Sequence, residues 1–264
     1  MNMPELQRLK DWFSRYCSSF STSVEEDQRN IVLKEEHTHK VCANARLIAQ
    51  DLSLGARETM LAESVALLHD VGRFRQYQKY KTFRDSISVN HAALGAKVLL
   101  EQGVLRDFPK REQDIIIRAV TLHNVLTVPD GLDDDTLLFV KLVRDADKLD
   151  IWRVFQEYYE MDEERRPDAA GLGLPDAPDY SPDVAACLLR GEIVQLVLLR
   201  TLNDFKLLQL SWIYDLNFTG SFRMVKERRY VDALGSTLPK TDEISKALQT
   251  LREFVDQRVR EKTS

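Results

Sequence analysis

Cysteine, histidine and alternating β-type runs are all scarce in this chain, and each scarcity excludes something. The three cysteines, Cys17, Cys42 and Cys187, are odd in number and widely spaced. They predict free thiols in a reducing compartment rather than a disulfide framework. No apolar run is long enough to span a bilayer, and the stretch MNMPELQRLKDW lacks a run of signal-peptide type. The expectation is a cytoplasmic protein with no membrane partner. A formal charge of −5 argues against general nucleic-acid binding but leaves room for a local basic pocket. What the chain does have is apolar residues at 44%, enough for a substantial core. Its 264 residues fit one large domain, or one domain with an elaboration.

Periodicity is helical almost everywhere, which predicts an all-α fold. Leu6, Leu9, Trp12 and Phe13 mark a first helix, closed by the Ser-rich stretch Ser18 to Ser23. Further helices are expected over Thr38 to Leu52, Leu61 to Asp70, Asn90 to Gln102, Gln113 to His123 and Thr136 to Glu160. A basic connection is expected from Arg73 to Arg84. The segment from Met161 to Pro182 contains Pro167, Pro175, Pro178 and Pro182 and reads as a long loop. Beyond it, Pro182 to Leu210 and Thr241 to Lys262 read as helices, separated by a turn or irregular piece over SWIYDLNFTGSF. The chain thus divides into a helical domain over 1–160, a loop over 161–182 and a helical C-terminal extension over 183–264 packed on the core. Its amphipathic helices offer a face for a homodimer.

The stretch LAESVALLHDVGRF organises the rest. Leu61, Val65 and Leu68 fall at helical spacing, and Ala62, Ala66 and Leu67 make most of the other sides apolar, so this helix is expected to be buried nearly all round. It ends in His69-Asp70, with Gly72 read as a stop signal. A carboxylate there is costly unless compensated. A divalent metal would compensate it; so would a helix-capping His-Asp pair, or an ion pair of Asp70 with Arg73.

The other scarce histidines sharpen the choice. His37 shares an apolar face with Val41, Ala45 and Ile48, whereas His39 aligns with Ala43, Arg46 and Gln50. His123 follows Ile116 and Val120 on an apolar stripe, and His91 precedes Leu94, Gly95 and Val98. Asp147 is the only charge in the row Val140, Val143, Ile151, Val154. Asp145 lies near another apolar row and reads as a support or an arginine partner. Singly, each histidine reads more readily as a hydrogen-bonded core residue than as a ligand. Together, His37, His69, Asp70, His91, His123 and Asp147 would each need a partner if scattered, and a shared metal satisfies them at once. Mixed imidazole and carboxylate donors suit manganese, iron or zinc better than calcium. Six donors exceed what one catalytic ion with an open position takes, so two ions sharing Asp70 is the better arithmetic.

The order His37, His69-Asp70, Asp147 resembles the HD-domain superfamily of metal-dependent phosphohydrolases. EHTHKV matches that family's His-x-x-basic-Val opening and selects His37 over His39. LLHDVGRF is close to the common LLHDIG form, and RDADKLD places Asp147 at the third ligand position. His91 in NHAALGAKVL and His123 in AVTLHN look like the extra histidines of the binuclear subgroup. The likeness covers about Glu36 to Trp152. The Gly-Tyr-Pro signature of the cyclic-dinucleotide branch is absent, since NVLTVPDG follows His123. The length also disfavours a (p)ppGpp synthetase/hydrolase.

The resemblance implies an HD-type helical core binding one or two divalent ions, with iron or manganese favoured over zinc, nickel, cobalt or magnesium. It implies hydrolysis of a phosphomonoester or phosphodiester, a nucleotide or related small molecule, by metal-activated hydroxide. Asp70 is the expected catalytic bridge. Lys148, next to Asp147, is expected to contact a phosphate and assist catalysis, and Arg73 to bind substrate. Solvated cations are the plainer reading of both, with Arg73 also able to pair with Asp70 or Asp85. Trp152, Tyr158 and Tyr159 fit core packing better than a base-stacking surface. An HD-type di-iron oxygenase would use the same donors, and a non-catalytic ligand-sensing HD module would lack some of them.

Overall fold

The computed structural model describes residues 1–161 and 173–261. Among these there is no strand, and the fold is all-α, as the helical periodicity implies. The chain divides into two compact units, Met1–Asp150 and Ile151–Ser264, with the division falling inside one long helix. No helix among the described residues is long and apolar enough to cross a membrane.

The first unit contains α1 (Met3–Ser18), α2 (Glu25–Asp51), α3 (Ala56–Leu68), α4 (Val71–Tyr80), α5 (His91–Glu101), α6 (Lys110–Leu122) and the larger part of α7 (Asp134–Glu160). α3 is its centre: every residue from Leu61 to Leu68 is buried, and α1, α2 and α6 pack on it. The largely apolar stretch is thus buried as its composition requires, and its one charge, Glu63, pairs with Lys10 at 2.7 Å and Arg46 at 2.9 Å. α5 is bounded as expected, with Asn90 accepting a hydrogen bond from the Ala93 amide at 2.9 Å as its N-cap.

Three expectations need correction here. The stretch expected as a basic connection is helical as far as Tyr80, because Val71, Phe74 and Tyr77 form a buried stripe that its charges disguise. It ends at Lys81, in the left-handed region at φ 53°. Gly72 is accordingly no stop signal: it lies in the first turn of α4, and a Cβ there would stand 2.1 Å from the His91 carbonyl oxygen. Glycine lets α4 and α5 touch. α2 also begins earlier than expected, at Glu25, where Glu25, Glu26 and Asp27 complement the helix dipole without any apolar stripe to signal them.

The second unit contains the end of α7, α8 (Pro182–Leu189), α9 (Leu202–Ser211), α10 (Thr219–Glu227), α11 (Tyr230–Ser236) and α12 (Asp242–Arg260). The expected single helix over Pro182 to Leu210 is two. Gly191 at φ 72° ends the first, and the Thr201–Asp204 capping box starts the second. The stretch SWIYDLNFTGSF is a 3-10 turn over Trp212–Asp215 followed by the start of α10, and α11 went unread. α12 packs on α8, α10 and α11. Trp152 is fully buried and donates from its indole nitrogen to the Gln209 carbonyl at 2.9 Å, so it is core. Tyr159 donates to the Gln209 side chain at 3.1 Å. Of the expected loop over 161–182, residues 173–181 are irregular and 162–172 lie outside the described residues, as does Lys262 at the expected end of the last helix.

Candidate metal centre

α3 and α4 meet with no connecting loop. His69 caps the end of α3, and Asp70, at φ −105° and ψ 13°, is the residue from which α4 starts. Both side chains are buried there, at 0% and 3% exposure. α2 brings His37, α5 brings His91 on its first turn, the end of α6 brings His123, and α7 brings Asp147. Within this set, His37, His69 and Asp70 offer atoms that all lie within 4.8 Å of one another. So do His69, His123 and Asp147, and so do Asp70, His91 and His123. All six sequence-selected residues are therefore brought together. His39 is exposed and lies edge-on to Phe13, away from the cluster.

The hydrogen bonds around the rings decide what the cluster presents. His37 Nδ1 is 2.7 Å from Asp150 Oδ2, and His91 Nδ1 is 2.7 Å from Asp85 Oδ2. His69 Nδ1 is 2.7 Å from the Ala66 carbonyl, and His123 Nδ1 is 2.7 Å from the Val120 carbonyl. Carbonyls and ionised carboxylates only accept, so each Nδ1 carries a proton and donates it. In a neutral ring the Nε2 lone pair is then free to bind a cation. All four Nε2 atoms face inward. His37 Nε2 is 3.1 Å from Asp147 Oδ1, and His69 Nε2 is 3.6 Å from the same oxygen. Asp70 spans the cluster with its two oxygens. Oδ2 lies 3.8 Å from the Nε2 atoms of both His37 and His69. Oδ1 lies 3.3 Å from His91 Nε2 and 3.8 Å from His123 Nε2.

A divalent ion fits this arrangement on three counts. His69 Nε2 is buried with no hydrogen-bond partner. His91 and His123 point their Nε2 atoms at each other across 2.9 Å, and two bare lone pairs repel unless a positive charge lies beside them. Finally, two donors each about 2.1 Å from one ion, at tetrahedral to octahedral angles, stand roughly 3.0–3.4 Å apart. The donor separations run from 2.9 to 3.8 Å and so bracket that range, the longer ones needing to close by a few tenths of an ångström around an ion. The donor set can hold one or two divalent ions.

Charge is arranged to match. Burial opposes ionisation of Asp70, but Lys34, His69, Arg73 and His91 outweigh it and hold the carboxyl well below the usual carboxylate range. Asp147 is likewise held down against burial, by the His37 and His69 rings beside it. Burial, reinforced by His91 and His69, pushes His123 down to about 3, and burial with Arg73 lowers His91. Both rings are therefore neutral at pH 7. His37 differs: burial and Lys34 lower it, yet Asp147 and Asp150 prevail and raise it to about 9.

The two cations singled out from sequence sit differently. Arg73 Nη1 donates to the Phe83 carbonyl at 2.5 Å, to Gln76 at 2.9 Å and to Asp85 at 3.0 Å, and its Nε lies 3.4 Å from Asp70. The guanidinium thus braces two carboxylates of the centre. Lys148 is buried beside Asp147 on α7 at 9% exposure, and Asp145 is fully buried. Two residues of the centre, Lys34 and Asp150, escaped sequence reasoning, and a third, Asp85, was read only as a partner of Arg73, a pairing that forms at 3.0 Å. Lys34, one turn before His37 on α2, donates to Asp70 Oδ2 at 2.9 Å. Asp150 and Asp85 anchor His37 and His91. Asp150 follows Asp147 at i+3 on one helix face, a readable signal; Asp85 lies outside any periodic helix and gave none for this role.

The HD domain family model matches residues 35–152. That stretch contains all six inward donors and both anchoring carboxylates, so residues 35–152 form an HD-type domain that carries a His/Asp cluster of binuclear type. No curated protein and no solved structure matches the chain.

Proposed function

We propose that the protein is a metal-dependent phosphohydrolase acting on a small phosphomonoester or phosphodiester, a nucleotide or related molecule. The observation that carries this reading is the set of four imidazoles, each pinned at Nδ1, whose Nε2 atoms converge on Asp70 and Asp147 inside an HD domain. In this reading His37, His69, Asp147 and Asp70 would hold one ion, and Asp70, His91 and His123 would hold a second. The bound ions would supply Lewis acidity toward phosphoryl oxygens and a water acidified enough to attack phosphorus at neutral pH. The chain's own residues do the rest. Asp70 fixes the spacing of the two positions through one rigid carboxylate. Asp150 and Asp85 keep the His37 and His91 rings in the tautomer that presents Nε2. Lys148 contacts a substrate phosphate and offsets charge on its oxygens as the transition state forms. Arg73 holds Asp70 and Asp85 in place, a bracing role we favour over direct substrate binding.

The test is metal analysis of protein purified without oxygen, then an anaerobic screen of phosphomonoesters, phosphodiesters and nucleotides with the metals found. Metal-dependent release of phosphate or nucleoside is the expected result. Failure of every loaded form to hydrolyse, or turnover only with consumption of dioxygen, would overturn the proposal in favour of the oxygenase or sensor readings.

A further inference from the structure

The two halves of the cluster are anchored by different kinds of structure. Each half has one ring backed by a helix-end carbonyl, His69 by Ala66 and His123 by Val120. Each has one ring backed by a carboxylate. For His37 that carboxylate is Asp150, which is 2% exposed and lies within α7. For His91 it is Asp85, whose side chain is 29% exposed and which opens a three-residue 3-10 turn, Asp85–Ile87, between α4 and α5.

Asp85 is the knot that ties this connection to the centre. Its Oδ2 accepts from His91 Nδ1 at 2.7 Å, from Asn124 Nδ2 at 3.2 Å and from the His91 amide at 3.3 Å. Its Oδ1 accepts from Gln76 at 2.9 Å and Arg73 at 3.0 Å. Three helices, α4, α5 and the end of α6, thus converge on one carboxylate. Gln76, fully buried, extends the tie by donating to Ser88 Oγ at 2.9 Å and to the Val89 carbonyl at 3.0 Å. Without Asp85, His91 would lose the acceptor that fixes its ring and tautomer, while His37, His69 and Asp147 would keep every contact described for them.

We infer that Asp85 is a positioning residue that makes the ion position of His91, His123 and Asp70 Oδ1 conditional on the 82–90 connection, so that the two ions bind with unequal affinity and this one is exchangeable. The inference rests on the two-ion form of the function proposed above, and its readout is metal binding rather than turnover. Loss of an outer hydrogen-bond partner of a ligating histidine typically weakens metal affinity about 10–100-fold.

The experiment titrates Mn²⁺ alone into metal-free wild type, Asp85→Ala, Asp85→Asn and Ser86→Ala. Calorimetry reads the affinities, and electron paramagnetic resonance reads whether paired or isolated ions form. Wild type should show a tighter and a weaker ion and a spin-coupled pair. Asp85→Ala should weaken the second ion about 10–100-fold, leave the first within about threefold and give isolated-ion spectra. Asp85→Asn keeps an accepting oxygen without the charge and should fall between; Ser86→Ala, an exposed neighbour, should match wild type. Equal affinities in wild type, equal weakening of both ions in Asp85→Ala, or an unweakened second ion would each overturn the inference. Should Asp85→Ala fail to fold, wild-type affinity in Asp85→Asn would overturn it alone. Hydrolysis failing with two unequal ions bound would sink the function proposed above and leave this inference standing.

Discussion

Replacing Gly72 by alanine should break the centre from a position that touches no ligand side chain. The added methyl would stand 2.1 Å from the His91 carbonyl oxygen, 2.6 Å from the Gly95 nitrogen and 3.1 Å from the Gly95 Cα. All three are backbone atoms, so no side chain can swing aside. Restoring ordinary contact at roughly 3.3–3.5 Å requires α4 and α5 to part by about 1 Å. Asp70 precedes α4 and His91 opens α5, so their 3.3 Å separation opens with the helices. Metal–donor distances tolerate about 0.2 Å, roughly a fifth of that displacement. Overpacking of this kind costs about 1–3 kcal/mol of stability, which a folded protein can survive. Gly95→Ala is the internal control: its methyl would meet Gly72 N at 3.3 Å and the Val71 and Val120 side chains at 3.4 Å, gaps that small shifts relieve. Thermal unfolding and Mn²⁺ titration of both variants make the assay. Gly72→Ala should lose the His91 ion and part of its stability, and Gly95→Ala should keep both ions. Wild-type metal binding in Gly72→Ala, or greater damage from Gly95→Ala, would refute the packing argument.

Further predictions concern the donors themselves. Asp70→Ala should remove both ions together with activity, read by metal analysis of the purified variant, whereas His39→Ala should leave metal content unchanged; the reverse pattern would mean that the wrong histidine faces the centre. Lys148→Met should lower kcat/KM by roughly 100-fold, as for loss of one transition-state donor, with metal content retained. Affinity for the ion at His37 should rise with pH. The metal-free ring is raised to about 9, so below that pH the ion must displace its proton, and affinity should climb about tenfold per unit before levelling off near 9. Calorimetry in buffers of different ionisation enthalpy would count the released proton, and a pH-independent affinity between 6 and about 8 would contradict this assignment.

Much of the centre was legible because it obeys helical periodicity. His37, His123 and Asp147 each interrupt an apolar stripe, and a polar group on a buried stripe announces that something satisfies it. His69 and Asp70 follow a helix apolar on most sides, and burial of Leu61 to Leu68 follows from that, with Glu63 in its midst paired to Lys10 and Arg46. Residues that support the donors were harder to read. Asp85 lies in a connection with no period, and its importance arises only when Arg73, Gln76, His91 and Asn124 fold onto it. Gly72 looked like a terminator because glycine commonly follows helix ends. Its real constraint is the approach of a second helix, which no local pattern encodes. α4 was obscured by its own charge: five cations between Arg73 and Arg84 suggested a solvated loop, though the buried stripe Val71, Phe74, Tyr77 was present. In the C-terminal unit, apolar residues continue across Gly191, so composition merged α8 and α9 where the left-handed glycine separates them.

The central claim is that four imidazoles and two carboxylates from separate helices clasp divalent metal. Crystals of the protein loaded anaerobically with Mn²⁺ and measured at the manganese absorption edge test it most directly. Anomalous peaks should appear within coordination distance of His69 Nε2 and Asp147, and of His91 and His123, with Asp70 between them. Peaks only elsewhere on the molecule, or none with these Nε2 atoms bonded to ordinary protein donors, would contradict the account.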